Sequence, residues 1–190
     1  YTSGVYWTVV VLISVVGTLL TDNMTDVFGV PLWVSTLVFS VLLAVTFTIW
    51  FVRERTLSIH TIFTRRREAF YWVAILFTFA LGTAAGDLIT EGFGLGYLLG
   101  TILFAVLIGL IVIACFALHV NVVFCFWAAY ILTRPLGASL GDLLSQSPDD
   151  GGLGLGTTGT SVVFLAVIVV LASYLGIKVG RQRRAVVPQP

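Results

Sequence analysis

Three aspartates, Asp22, Asp87 and Asp142, stand at one register of a pattern that occurs three times. The pattern is W-x9-G-x4-D: Trp7–Gly17–Asp22, Trp72–Gly82–Asp87 and Trp127–Gly137–Asp142. Carboxylates that converge either share protons or take up a cation that relieves their repulsion. Hard divalent ions such as Mg²⁺, Mn²⁺ and Ca²⁺ favour such oxygen ligands. The three aspartates are therefore the candidate metal ligands, with a bound divalent cation as the only cofactor implied. Thr18, Thr21, Asn23, Thr83 and Ser139 lie close enough in sequence to add oxygen or amide groups. Asp26, Glu91 and Gln146 follow one helical turn later and form a second, less regular polar layer.

The competing reading is turn chemistry, because aspartate is ordinary in turns. An aspartate at a helix C-terminus, however, opposes the helix dipole. Its return at one register in three copies argues for a role as an ion- or proton-binding group.

Arg134 breaks the symmetry. It precedes Pro135 in "LTRPLGASLGD", where the other copies have Ser14 and Phe79. A guanidinium at membrane depth needs a partner. Asp142, Asp22 and Asp87 all qualify. Arg134 is then either an internal counter-ion for a protonation switch or half of a structural salt bridge.

The elements that must carry these groups follow from composition. The chain has 190 residues, 58% of them hydrophobic and 10% charged, and a mean hydropathy of +1.07. Soluble domains are about 45–50% apolar and about 25% charged. The balance specifies an integral membrane protein, and the net charge of +1 argues against nucleic acid. Continuous apolar runs cover about 4–22, 31–52, 69–88, 95–118, 121–144 and 157–178. Each approaches the roughly 20 residues a membrane helix needs. Backbone groups in lipid must be satisfied internally, and alternation of the barrel kind is missing, so helices are expected.

The even-numbered runs repeat as well, by the rule G-x6-[ST]-x2-F: Gly29–Thr36–Phe39, Gly94–Thr101–Phe104 and Gly154–Ser161–Phe164. The unit is a helical hairpin: a Trp-anchored helix, an acidic turn and a Gly-led return. The expected fold is an all-α polytopic membrane protein. Six transmembrane helices form three parallel hairpin repeats (1–60, 66–120 and 121–180) around an axis along the membrane normal. These make one transmembrane domain over 1–180, with a basic tail over 181–190. Gly17, Gly82 and Gly137 fall about 15 Å along each helix from the Trp. At that depth small residues permit close helix packing.

Arg53, Arg55, Arg65, Arg66 and Arg67 lie between runs two and three, and Lys178, Arg181, Arg183 and Arg184 follow run six. Positive residues mark the cytoplasmic side. The C-terminus is then cytoplasmic and the acidic turns face outward.

Other chemistry is thin. Cys115, His119 and Cys125 supply three zinc- or copper-type donors without a fourth. "SPDDGGLGLGTTGTS" (147–161) is glycine-rich but acidic and carries no G-x4-G-K-[ST], which excludes a phosphate loop. No nucleophile–base set is visible, so the chain is read as a non-enzyme.

"GTLLTDNMTD", "GTAAGDLITEGFGLGY" and "TRPLGASLGDLLSQSPDDGGLGLGTTGTS" together resemble an uncharacterised bacterial membrane-anchored family built from a hairpin repeat of unknown function. The resemblance spans essentially the whole chain. It implies four hairpins, the first with a motif similar to "GETAAD". "YTSGVYW" looks like the start of the second, so an eight-helix architecture would result if a further hairpin precedes it. It also implies the bacterial inner membrane. From the residues, the expected activity is that of a cation transporter or channel, proton-coupled or moving a divalent metal such as Mn or Mg. The alternative is a non-transporting accessory, scaffold or regulatory membrane protein. Partners are the lipid bilayer and a small cation, with a homo-oligomer or larger membrane complex left open.

Overall fold

A computed structural model describes residues 3–186, with side chains over 5–171 and at 173 and 174. Every long element in these residues is helical. The helices are α1 (Ser3–Asp22), α2 (Leu32–Glu54), α3 (Arg65–Asp87), α4 (Gly96–Ala117), α5 (Val122–Ser145) and α6 (Gly156–Val186). Five of them begin and end within four residues of an apolar run, whereas α6 starts with its run and continues eight residues past it. Among the described residues, five helical segments are long and apolar enough to cross a membrane, and the described apolar stretch of α6 is Gly156–Leu171. This is a multi-pass membrane protein by length and composition. Helix α6 runs into the segment expected as a basic tail. The side chains of Lys178, Arg181, Arg183 and Arg184 lie outside the described residues.

The chain divides into two compact units, Tyr1–Leu140 and Gly141–Pro190. In the first, α3 is the centre and packs against both α1 and α2. Its buried face is built of small residues: Ala74, Thr78, Ala80, Gly82, Ala84 and Gly86. In lipid no hydrophobic force distinguishes a helix partner from a tail, so close backbone approach through small side chains must hold helices together. Large residues complete the core toward one end, where Leu43, Trp50, Ile75, Phe79 and Trp127 cluster. Phe39 packs against Ala80 and Ala84 further along. Most other large apolar side chains, such as Leu12, Ile113 and Phe124, point outward. That is the arrangement expected when lipid is the solvent.

The basic connection between α2 and α3 is tied down. Glu54 takes Arg67 Nε at 2.7 Å and Arg66 Nε at 3.4 Å. Arg67 also donates to the Thr61 carbonyl at 2.8 Å. Thr64 caps α3 by accepting from the Arg67 amide.

The glycine that leads each return helix has a conformational reason. Gly29, Gly94 and Gly154 adopt φ of +65°, +67° and +74°. An L side chain rarely takes that left-handed region.

In the second unit the chain leaves α5 through a 3₁₀ turn at Pro148–Asp150 and enters α6. The glycine-rich segment folds back on the end of α5. The amides of Gly152, Leu153, Gly154 and Leu155 donate to the carbonyls of Ser147, Leu143, Gln146 and Leu144. Those are the carbonyls a helix leaves unpaired at its C-terminus. The segment is thus a helix cap, and Phe164 on α6 meets Gly141 at van der Waals distance.

Candidate functional site

Asp22 and Asp87 are each the last α-helical residue before a change of helical pitch. A five-residue π-helix follows each one, Asn23–Val27 and Leu88–Gly92. The wider ladder is explicit in the i→i−5 bonds from Phe28 N to Asn23 O at 3.1 Å and from Phe93 N to Leu88 O at 2.8 Å. Both π turns end their helices, just before the left-handed Gly29 and Gly94, a place where a wider last turn is common. Each is supported by a hydroxyl three residues after the aspartate. Thr25 donates to the Thr21 carbonyl at 3.1 Å and Thr90 to the Gly86 carbonyl at 3.0 Å. Ser145 stands at the matching place after Asp142. The repeat is therefore W-x9-G-x4-D-x2-[ST]. This hydroxyl was readable in the sequence, but only the pitch change shows what it does. The third copy differs: α5 stays α-helical to Ser145.

Burial follows the register. Asp22, Asp87 and Asp142 are all half-buried, whereas Asp26, Glu91 and Gln146 are exposed. Asp26 accepts from the Thr25 hydroxyl at 3.2 Å. Among the described residues of the first unit, no three His, Cys, Asp or Glu side chains gather into a metal-sized group. The same holds around Cys115, His119 and Cys125, whose cysteines are free thiols.

The neighbouring polar groups are largely committed elsewhere. Thr21, fully buried, donates across to the Ala80 carbonyl of α3 at 2.9 Å. Asn23 donates to Leu19 O and Thr83 to Phe79 O. Ser139 is the exception: it is 1% exposed and its Oγ has no partner among the described residues. It sits beside the second π turn. A methyl placed on Gly100 would lie 2.7 Å from Thr90 Cγ2 and 3.4 Å from Ser139 Oγ.

Arg134 reaches the same region from α5. Its Nη2 donates to Thr18 Oγ1 at 3.2 Å, and its guanidinium carbon lies 4.0 Å from the centre of the Phe79 ring. Its Nε is buried without a hydrogen-bond partner among the described residues. Thr18 precedes Asp22 by one turn, so the guanidinium stands one turn inward of the first acid.

Two of the three repeat glycines make the expected close contacts. A Cβ on Gly17 would fall 2.6 Å from Phe79 Cβ and 3.2 Å from the Ala80 nitrogen. A Cβ on Gly82 would collide with Arg134 Cβ and lie 3.2 Å from Pro135 Cδ. Phe79–Ala80 and Arg134–Pro135 are themselves equivalent positions of successive repeats. Gly137 differs, with no atom of the described residues within 4 Å of a Cβ placed on it.

The repeat tryptophans also diverge. Trp7 is 62% exposed, whereas Trp127 is 4% exposed and donates to the Leu57 carbonyl at 2.9 Å. Trp127 is thus a core residue, while Trp7 is on the surface.

A family model described as Repeat of Unknown Function (DUF347) matches three times, over residues 5–56, 70–120 and 125–177. The chain belongs to the DUF347 repeat family. Each match spans one helix pair, so the DUF347 unit contains the Trp-led helix, the acidic turn and the Gly-led return. Comparison with curated proteins and with solved structures gives no match. In DUF347 terms, the α-to-π switch after the repeat aspartate belongs to the first and second copies and the buried arginine to the third alone.

Proposed function

We propose that this protein carries protons or small cations across a bacterial inner membrane, as a transporter or channel. Asp22, Asp87 and Asp142 are the carriers, Asp26 and Glu91 form an outer vestibule, and Arg134 is a fixed internal charge. The observation that carries this reading is the half-buried aspartate placed directly before a π turn, twice at one register. A wider last turn changes the direction in which the side chains after each aspartate leave the helix. The Ser139 hydroxyl, without a partner among the described residues, lies with Thr90 around Gly100 and is the candidate relay group. With no three His, Cys, Asp or Glu gathered among the described residues, a proton or a partly hydrated cation suits these carboxylates better than a preassembled divalent cage, and Mn or Mg are the metals to test.

Arg134 suits a barrier. Its charge lies one turn inward of Asp22 and repels a cation that has not exchanged with a proton. The paired contacts Gly17–Phe79 and Gly82–Arg134 support parallel hairpins related by one repeated operation about an axis along the membrane normal. The arginine-rich connection, with Glu54 its paired acid, supports a cytoplasmic basic side and outward acidic turns.

The test is flux in proteoliposomes, with an internal pH dye for protons and a metal-sensitive dye for Mn²⁺. Asp87→Asn and Asp22→Asn should each abolish flux at unchanged expression and helix content. Full flux in both variants refutes the reading.

The second reading is a non-transporting scaffold or accessory protein. It is favoured by the commitment of Thr21, Asn23 and Thr83 to backbone carbonyls, which leaves few oxygens for an ion. On that reading neither wild type nor variants conduct.

A further inference from the structure

At the basic end of the first unit, α2 and the start of α5 enclose a cleft of about 560 Å³. Its walls are apolar: Phe47 and Phe51 from α2, Phe124 and Trp127 from α5, with Ala128 at its side. Its rim is polar, formed by Arg55, Thr56 and Asn121. Phe47 lies two turns from Arg55, so the apolar wall extends about 12 Å below the rim. One leaflet of a bilayer core is about 15 Å deep. The cleft therefore has the depth of a single leaflet, with its polar rim at the headgroup end.

The rim is positively charged and available. Glu54 is held by Arg66 and Arg67, and no acid pairs with Arg55 among the described residues. Arg55 takes φ +55° at the C-terminus of α2, a place where glycine or asparagine is the usual choice. His119 takes nearly the same φ after α4, so this is a form of helix ending that the two connections share. On the opposite rim, Asn121 Oδ1 accepts from the amides of Val123 at 2.9 Å and Phe124 at 3.3 Å. That orientation turns its Nδ2 donors away from the helix.

We propose that this cleft binds an anionic phospholipid, with an acyl chain along Phe47, Phe51 and Trp127 and the phosphate between Arg55 and Asn121. The site rests on the membrane-spanning character of the chain and is independent of any transport. Cytoplasmic leaflets carry anionic lipid, and basic juxtamembrane residues attract it. Arg55 binds the phosphate that every phospholipid carries, and its unpaired charge favours a headgroup with no cation of its own.

The full chain in detergent, stripped of lipid, is titrated with phosphatidylglycerol and with phosphatidylcholine of the same acyl chains. Bound lipid is counted by native mass spectrometry. Wild type should retain phosphatidylglycerol at least tenfold better than phosphatidylcholine. Arg55→Gly removes the charge at a φ that glycine prefers, so the lipid-free melting temperature should hold or rise while the preference is lost. Arg65→Gln, an arginine outside the cleft, should keep it. Ala128→Leu, which narrows the cleft, should weaken both lipids. Equal retention of the two lipids by wild type overturns the proposal. So does an Arg55→Gly variant that keeps the preference, or an Arg65→Gln variant that loses it equally.

Discussion

Gly82 of α3 lies directly against the Cβ of Arg134 on α5. The same relationship, one repeat earlier, sets Gly17 of α1 against Phe79 of α3. One glycine-into-ridge contact therefore joins successive hairpins, and at its second use the ridge carries a charge. The packing device and the candidate site are the same place.

Substitution at these glycines should separate sharply. Gly82→Val forces α5 away from α3 and should cost about 1–3 kcal/mol or more, as overpacking does. Gly17→Val should behave alike. Gly137→Ala meets open space and gains helix propensity, so it should be neutral or stabilising by less than about 1 kcal/mol. Thermal unfolding in one detergent, followed by circular dichroism, reads all three. A Gly137→Ala variant as unstable as Gly82→Val would contradict the observed packing.

Thr21→Val replaces a buried hydroxyl by a methyl of similar shape. It removes the bond to Ala80 O that links α1 to α3. Interhelical hydrogen bonds in membranes average about 0.6 kcal/mol, so the loss should be small, with flux unchanged. A collapse in stability would show that Thr21 does more than bridge two helices.

Arg134 should not be replaceable by lysine. Its flat guanidinium covers the Phe79 ring while one nitrogen reaches Thr18. An ammonium cannot do both. Arg134→Lys should fold yet show a cation leak, and Arg134→Gln a larger one, in the liposome assay. Wild-type selectivity in both would remove Arg134 from the barrier role.

Trp127→Ala opens a cavity among Trp50, Phe47 and Tyr71, whose ring centres lie 4.9–6.3 Å away. It should cost about 3–5 kcal/mol. Trp7→Ala, on an exposed ring, should cost under about 1 kcal/mol. Comparable losses at the two positions would restore the three tryptophans to one interfacial role.

The repeated spacing of Trp, Gly and Asp made the helical hairpin unit legible, because residues at one register of a repeat occupy one place in its helix. The first five apolar runs predicted helices within four residues of those observed, since lipid allows backbone groups no partner except their own helix, while α6 continues eight residues past its run into the basic segment. The return glycines were visible as a pattern, but their left-handed φ was not. The hydroxyls of Thr25 and Thr90 escaped notice because nothing in local sequence marks an α-to-π change. That change depends on whether the helix end is held by its neighbours.

Sequence by itself determined that this is a helical, multi-pass, threefold-repeated chain with one acid per turn at a shared register. Those properties depend on composition and spacing, which each segment carries within itself. Only the tertiary structure decided that Trp127 is core while Trp7 is surface, that Gly17 and Gly82 are contacts while Gly137 is open, and that Arg134 rests on Phe79 beside Thr18. Equivalent positions acquire different neighbours when a repeat sits at the middle or the edge of an array. No residue's own sequence position records what packs against it.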